Sequence, residues 1–255
     1  MSADELVVEE HGRVLVLRLN RPQARNAVNL ALATRIAAAL DTLDERTDLS
    51  VGIITGNGPA FCAGMDLKAF AAGERPVVEG RGFAGLVRRP PRKPLIAAVD
   101  GFALAGGFEI VLACDLVVAS KSSVFGLPEV RRGLAAAGGG LLRLRERLPY
   151  HIAMELVLTG DTFDAQAAYD YGLVNRLTEP GRALPAALEL AEAMAGNAPL
   201  AMAASKRVFI ESREWTDAEG FDRQEAYVDP VRRSKDAREG ATAFAEKRAP
   251  VWSGT

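Results

Sequence analysis

The chain has 255 residues, 49% of them apolar and 25% charged, with a net charge of −2. That length can bury a large core, as one domain with an appendage or as two small domains, and the charge gives no general attraction to nucleic acid or to an anionic membrane. With two histidines and two cysteines, none at metal-ligand spacing, a Cys/His zinc centre is excluded and no metal is expected.

The N-terminus, Met1-Ser2-Ala3-Asp4-Glu5, is acidic and lacks an apolar signal region. No run in the chain reaches the ~20 apolar residues of a membrane span. Residues 13–19 alternate like a half-buried strand, and the turn Asn20-Arg21-Pro22 follows. Leu30, Ala33, Ile36, Ala37, Leu40 and Leu43 recur at helical spacing over residues 30–46. Strand-like runs return at 51–55, 94–99 and 115–119, which predicts a layered α/β core with parallel pairing. The basic cluster Arg88-Arg89-Pro90-Pro91-Arg92-Lys93 has no interleaved aromatic residue for base stacking and reads as a solvated loop.

Past Gly138 the chain turns helical, with helices predicted over 141–159, 164–171, 181–195, 198–211 and 217–247 and a short strand-like break at Leu173–Leu177. His151 begins an amphipathic helix and reads as structural, which leaves no Ser-His-Asp triad. Cys62 and Cys114 sit in apolar runs, as small buried hydrophobes in a reducing compartment do. The final residues, Trp252-Ser253-Gly254-Thr255, are not a peroxisomal address, so a cytoplasmic location is expected. The last helices carry many charges around a thin stripe of Val208, Phe209, Phe221, Tyr227, Val231 and Phe244. Such a stripe buries little by itself and calls for a second subunit.

Two motifs carry the chemistry. Phe61-Cys62-Ala63-Gly64-Met65-Asp66-Leu67-Lys68 follows the run at 51–55, and Ala105-Gly106-Gly107-Phe108-Glu109 follows the run at 94–99. Each glycine turn opens what reads as a helix, whose first N–H groups lack intrahelical partners. Two such turns brought together can aim two N–H groups at one oxygen, with helix dipoles adding positive potential. That suits a carbonyl that must become an enolate. Glu109 lies in the first turn of the second helix, and Glu129 follows in Phe125-Gly126-Leu127-Pro128-Glu129. Alone, each glycine motif is a close-packed strand–helix turn, Glu109 a dipole-favoured helix acid and Glu129 a loop acid. Crowding two carboxylates raises at least one pKa, so one can be protonated while the other is ionised.

These motifs, with Asn20-Arg21-Pro22-Gln23-Ala24-Arg25-Asn26-Ala27 before them and Phe244-Ala245-Glu246-Lys247-Arg248 after, resemble the crotonase, or enoyl-CoA hydratase/isomerase, superfamily over almost the whole chain. The resemblance implies an α/β fold, a crotonase-like spiral of ββα units over residues 1–195, and a C-terminal helical trimerisation region over 196–255. It implies a homo-oligomer, a trimer or a dimer of trimers. It makes the N–H groups of Met65 and Gly106 the oxyanion hole, and Glu109 and Glu129 the two catalytic glutamates of the family's hydratases. Ala24, Arg25, Ala63, Asp66, Leu67 and Lys68 match segments beside coenzyme A. Phe244 and Lys247 match C-terminal residues that reach it, often from a neighbouring subunit. Asp66 also suits a helix cap and Lys247 an ordinary exposed lysine. Coenzyme A is then part of the substrate, an acyl-CoA thioester, and no separate cofactor is expected.

The implied activity is a hydro-lyase of fatty acid and lipid metabolism, an enoyl-CoA hydratase acting by syn addition of water or by the reverse dehydration. The alternatives are another reaction of the superfamily (isomerase, hydrolase, carnitinyl-CoA-type dehydratase) and a non-catalytic acyl-CoA binder. Such binders tend to lose the carboxylates, and this chain keeps both. One departure stands out: where hydratases often carry an isoleucine-proline-glycine-type turn whose glycine N–H touches the attacking water, this chain has Leu134-Ala135-Ala136-Ala137-Gly138-Gly139-Gly140, with Ala137 at that glycine.

Overall fold

A computed structural model describes residues 4–255; Met1, Ser2 and Ala3, on which part of the N-terminal reading rests, lie outside the described residues. The chain opens with β1 (Leu6–His11), β2 (Val14–Leu19), α1 (Leu30–Glu45), β3 (Val51–Gly56), β4 (Ala60–Cys62) and the short α2 (Leu67–Ala71). It continues through β5 (Val77–Val78), β6 (Gly82–Phe83), β7 (Leu95–Val99), β8 (Phe102–Leu104), α3 (Gly106–Ala113), β9 (Leu116–Ser120) and β10 (Val124–Gly126). After a 3-10 turn at Pro128–Arg132 come α4 (Gly140–Arg147), α5 (Tyr150–Thr159), β11 (Thr162–Asp164), α6 (Ala165–Asp170) and β12 (Arg176–Thr178). The chain closes with α7 (Ala183–Ala195), α8 (Pro199–Glu211), α9 (Asp217–Arg232) and α10 (Lys235–Glu246).

Two sheets organise the core. The larger has the order β1-β2-β3-β7-β9-β12 and is parallel apart from the β1/β2 hairpin; the smaller has the order β11-β10-β8-β4. Each successive pair, β3 with β4, β7 with β8 and β9 with β10, gives its first strand to the larger sheet and its second to the smaller before a helix follows. This is the expected spiral of ββα units.

Strand alternation sorts the side chains of β2. Leu15 and Leu17 face the main core with α1, whose Leu32, Ile36, Leu40 and Leu43 are fully buried, while Val14 and Val16 face Ala183, Ala187 and Ala191 of α7. The larger sheet is thus covered on both faces, as its apolar strands require.

In the smaller sheet β4, β8 and β10 run parallel, with Cys62 and Phe125 both registered on Ala103. Their carboxyl ends therefore lie side by side, and the chain leaves them at Ala63–Met65, Ala105–Gly106 and Leu127–Glu129. All three stretches singled out in the sequence emerge at one edge.

Some elements differ from expectation. Strand β1 was not anticipated. The helix expected over 141–159 is two, because Pro149 holds Leu148 extended (φ −122°, ψ 152°). The run at 217–247 divides where Ser234 accepts from the Ala237 N–H and starts a new helix. Glu129, read as a loop acid, sits in the 3-10 turn. The loop at 88–93 is only partly solvated: the Lys93 ammonium donates to the carbonyls of Leu43, Arg46 and Leu49. It thereby satisfies the exposed carbonyl end of α1. No helix among the described residues is long and apolar enough to cross a membrane.

Candidate active site

Residues 63–66 run beside the loop that follows β2. The Ala63 N–H donates to the Arg25 carbonyl (3.0 Å), Val28 N–H to the Gly64 carbonyl (2.8 Å), and Asp66 N–H to the Val28 carbonyl (2.9 Å). Gly64 N–H donates to the Cys62 sulfur at 3.3 Å. One N–H of the stretch remains: among the described residues, that of Met65 donates to no protein acceptor, and neither does that of Gly106. Gly64, at φ +98°, brings the two turns into contact, since a Cβ there would sit 3.0 Å from the Gly106 nitrogen and 3.1 Å from the Leu104 carbonyl oxygen. Both the left-handed conformation and the close approach demand glycine.

The start of α3 is strained. Ala105 precedes Gly106 at φ 51°, ψ −128°, a region that costs a non-glycine residue about 1–3 kcal/mol and is found where the surroundings over-determine the backbone. Its N–H donates to the Gly126 carbonyl (2.9 Å) and its carbonyl accepts from Phe108 and Glu109, so it is held from both sides. The Phe83 ring lies against Gly106, 2.5 Å from where a Cβ would be.

Glu109, one turn into α3, is buried at 4% exposure. Its Oε1 accepts from the Gly140 N–H at 2.9 Å, and a Cβ on Gly138 would lie 2.4 Å from its Oε2. The glycine run is therefore built around this carboxylate. Burial raises the pKa of Glu109, opposed by the N–H groups of Gly140 and Gly138 and by Arg143. Glu129 has a buried Oε2 with no partner among the described residues. Its pKa is raised to about 7, first by burial and then, against a hydrogen bond to its own backbone, by the Glu109 charge. Phe108, Phe125 and Phe163 pack on one another in the core with ring centroids 5.5–5.8 Å apart. One carboxyl is thus held by N–H donors that favour its ionised form, and its neighbour is left to keep its proton.

The structure brings Arg25 alongside Ala63, whose N–H donates to the Arg25 carbonyl, with Ala24 just before it at the end of the turn Pro22–Ala24. Arg25 is exposed, and its guanidinium has no ion pair among the described residues. Both Asp66 oxygens are engaged by the protein: Oδ1 caps α2 through Lys68 N–H and Ala69 N–H, and Oδ2 pairs with Arg21 at 2.9 Å. Leu67 and Lys68 are exposed on α2. Phe244 (87% exposed) and Lys247 lie on and just after α10, and no hydrogen bond or ion pair joins either side chain to this region among the described residues. Reading the sequence missed the roles of Gly138, Gly140 and Phe83; the three consecutive glycines were the available signal for the first two.

Residues 9–255 match the family model for enoyl-CoA hydratase/isomerase. The chain belongs to that family. It is 40% identical over 99% of both chains to a carnitinyl-CoA dehydratase of Proteus mirabilis. It is 42% identical to a mevalonyl-coenzyme A hydratase of Aspergillus fumigatus, covering 94% of this chain and 91% of that one. The crystal structure of an enoyl-CoA hydratase from Mycobacterium marinum superposes with a TM-score of 0.97 at 58% identity, over 98% of this chain and 99% of the other. The sheet pair and the ββα spiral are therefore those of the crotonase fold.

Proposed function

We propose that Glu109 and Glu129 act on one water molecule to hydrate a 2-enoyl-CoA in a syn sense, or to dehydrate the 3-hydroxyacyl-CoA, while the N–H groups of Met65 and Gly106 hold the thioester oxygen. The enzyme class is that of the relatives, a hydro-lyase of the enoyl-CoA hydratase kind. The observation that carries the residue assignment is the juxtaposition of two unpaired N–H groups with two carboxyls in unlike surroundings.

In the hydration direction Glu109, whose carboxylate accepts from the Gly140 N–H, takes a proton from water as the water oxygen bonds to C3. The C2–C3 π pair moves toward the carbonyl oxygen, where the two N–H groups meet the growing negative charge. Glu129 then delivers its proton to C2 from the same face, and the two glutamates exchange protonation states. Backbone donors suit this work because they are already oriented and carry no net charge.

Several features support the wider reading. Arg25 is an exposed cation able to meet a coenzyme A phosphate. Phe209, Phe221 and Phe244 are 81%, 81% and 87% exposed, and residues 196–255 serve as the region through which subunits form a trimer or a dimer of trimers, with Phe244 and Lys247 reaching coenzyme A across the interface. The buried thiols of Cys62 and Cys114 fit a cytoplasmic enzyme. Coenzyme A enters as part of the substrate, with no further cofactor.

The test is a panel of 2-enoyl- and 3-enoyl-CoA thioesters followed by the 2-enoyl thioester absorbance. Hydration of 2-enoyl-CoA is expected. Preferred conversion of 3-enoyl-CoA to 2-enoyl-CoA would make the protein an isomerase, and binding without turnover of any member would make it a carrier.

A further inference from the structure

Arg21 lies in the turn after β2, and its side chain is only 14% exposed. Its guanidinium is anchored at three points: Nε pairs with Glu5 Oε1 (3.1 Å), Nη1 donates to the Ala27 carbonyl (2.5 Å), and Nη2 pairs with Asp66 Oδ2 (2.9 Å). Two of these anchors flank the bridge between Val28 and Met65. Ala27 directly precedes Val28, and Asp66 directly follows Met65. Glu5 is fixed in turn by Asn29 Nδ2 (3.0 Å), whose Oδ1 caps α1. The planar guanidinium therefore fastens together both sides of the segment that presents the Met65 N–H.

We infer that Arg21 is a positioning residue for the oxyanion hole: by holding Asp66 and the Ala27 carbonyl at a fixed separation, it keeps the Met65 N–H aimed at the thioester oxygen. This rests on the assignment of Met65 proposed above. Arg21 is poorly placed to bind a phosphate itself, because its three anchored nitrogens face the protein, whereas Arg25 nearby is exposed. Displacing a reacting group by about 1 Å costs on the order of 10²-fold in rate, so a loosened Met65 turn registers in kcat even though Arg21 never meets the substrate. A lysine reaches one anchor at a time and replaces the fork only in part.

The experiment compares wild type, Arg21→Met, Arg21→Lys and Asp66→Asn. It measures kcat and KM for hydration of crotonyl-CoA, and the carbonyl stretch of butyryl-CoA labelled with carbon-13 at C1, free and bound. For Arg21→Met the expected result is a fall in kcat of roughly 10–100-fold, KM within about threefold of wild type, and loss of most of the downward carbonyl shift that binding causes. Arg21→Lys should recover part of both. Asp66→Asn keeps an oxygen to cap α2 and loses the charge that faces Arg21; it should behave as Arg21→Met does, and it carries the test if Arg21→Met does not fold. A folded variant of either kind with wild-type kcat and the full carbonyl shift overturns the inference and leaves the oxyanion assignment standing. Absence of any carbonyl shift in the wild type overturns the assignment, and the role of Arg21 with it.

Discussion

At the scale of single residues, the unlike surroundings of Glu109 and Glu129 determine what pH should do. The carboxyl of Glu129 is raised to about 7 from 4.5, and the two groups titrate as a pair. On the proposed roles Glu129 starts hydration protonated, so kcat should fall as pH rises through about 7. In dehydration it must start ionised, and kcat should rise over the same window. Initial rates in both directions between pH 5 and 9 read this as opposite limbs; parallel profiles would refute the assignment. The same displacement makes Glu129 a stability liability. Its proton is held more tightly in the folded chain than in the unfolded one, so its stabilising contribution is complete below the unfolded pKa and is lost as pH rises through the folded value. Glu129→Gln should therefore stabilise the protein at pH 8 and hardly at all at pH 4, a contrast that denaturant titration at the two values measures.

At the scale of elements, the site is the meeting of three strand ends with the helix and turns they launch. The donor proposed at Met65 belongs to the backbone, so Met65→Ala should keep most of the activity, whereas Gly106→Pro should abolish it. Proline is ordinarily tolerated at the first position of a helix, but here it removes the donor and cannot follow Ala105 in its strained conformation. A thousandfold loss of kcat in a well-folded Met65→Ala would contradict the backbone assignment. These turns were legible in the sequence because glycine turns between apolar runs are local signals, and so was Glu109, three residues past Gly106. The Gly140 N–H bond to Glu109, the Phe83 ring on Gly106 and the Arg21 anchors join residues distant in sequence, and no periodicity announces them. Helix ends at Leu148 and Ser234 were lost for a simpler reason: apolar spacing ran through them, while Pro149 and the serine cap decided locally. Lys93 was misread because a basic run looks solvated until the carbonyl end of a neighbouring helix is seen beneath it.

At the scale of the whole molecule, the core and the C-terminal helices are built differently. Residues up to α7 bury both faces of the larger sheet, while α8 joins that body partly through Lys206, whose ammonium donates to the Pro91 and Lys93 carbonyls and to Asp115. Large aromatic side chains left on the outer helices are costly to a monomer and useful to an interface. Light scattering at micromolar concentration should give three or six times the chain mass of 27.2 kDa; a monomer would remove the cross-subunit role of Phe244 and Lys247. The account stands or falls, however, on the carboxylate pair. The most direct test is the hydration kcat of Glu109→Gln, Glu129→Gln and the double variant, alongside their affinity for a saturated acyl-CoA. Each single change should lower kcat by roughly 10²–10⁴, affinity should hold, and the double variant should be little worse than the worse single because the two act on one water as a unit. Hydration that survives either change within a factor of a few, in a folded protein with unchanged affinity, would contradict it.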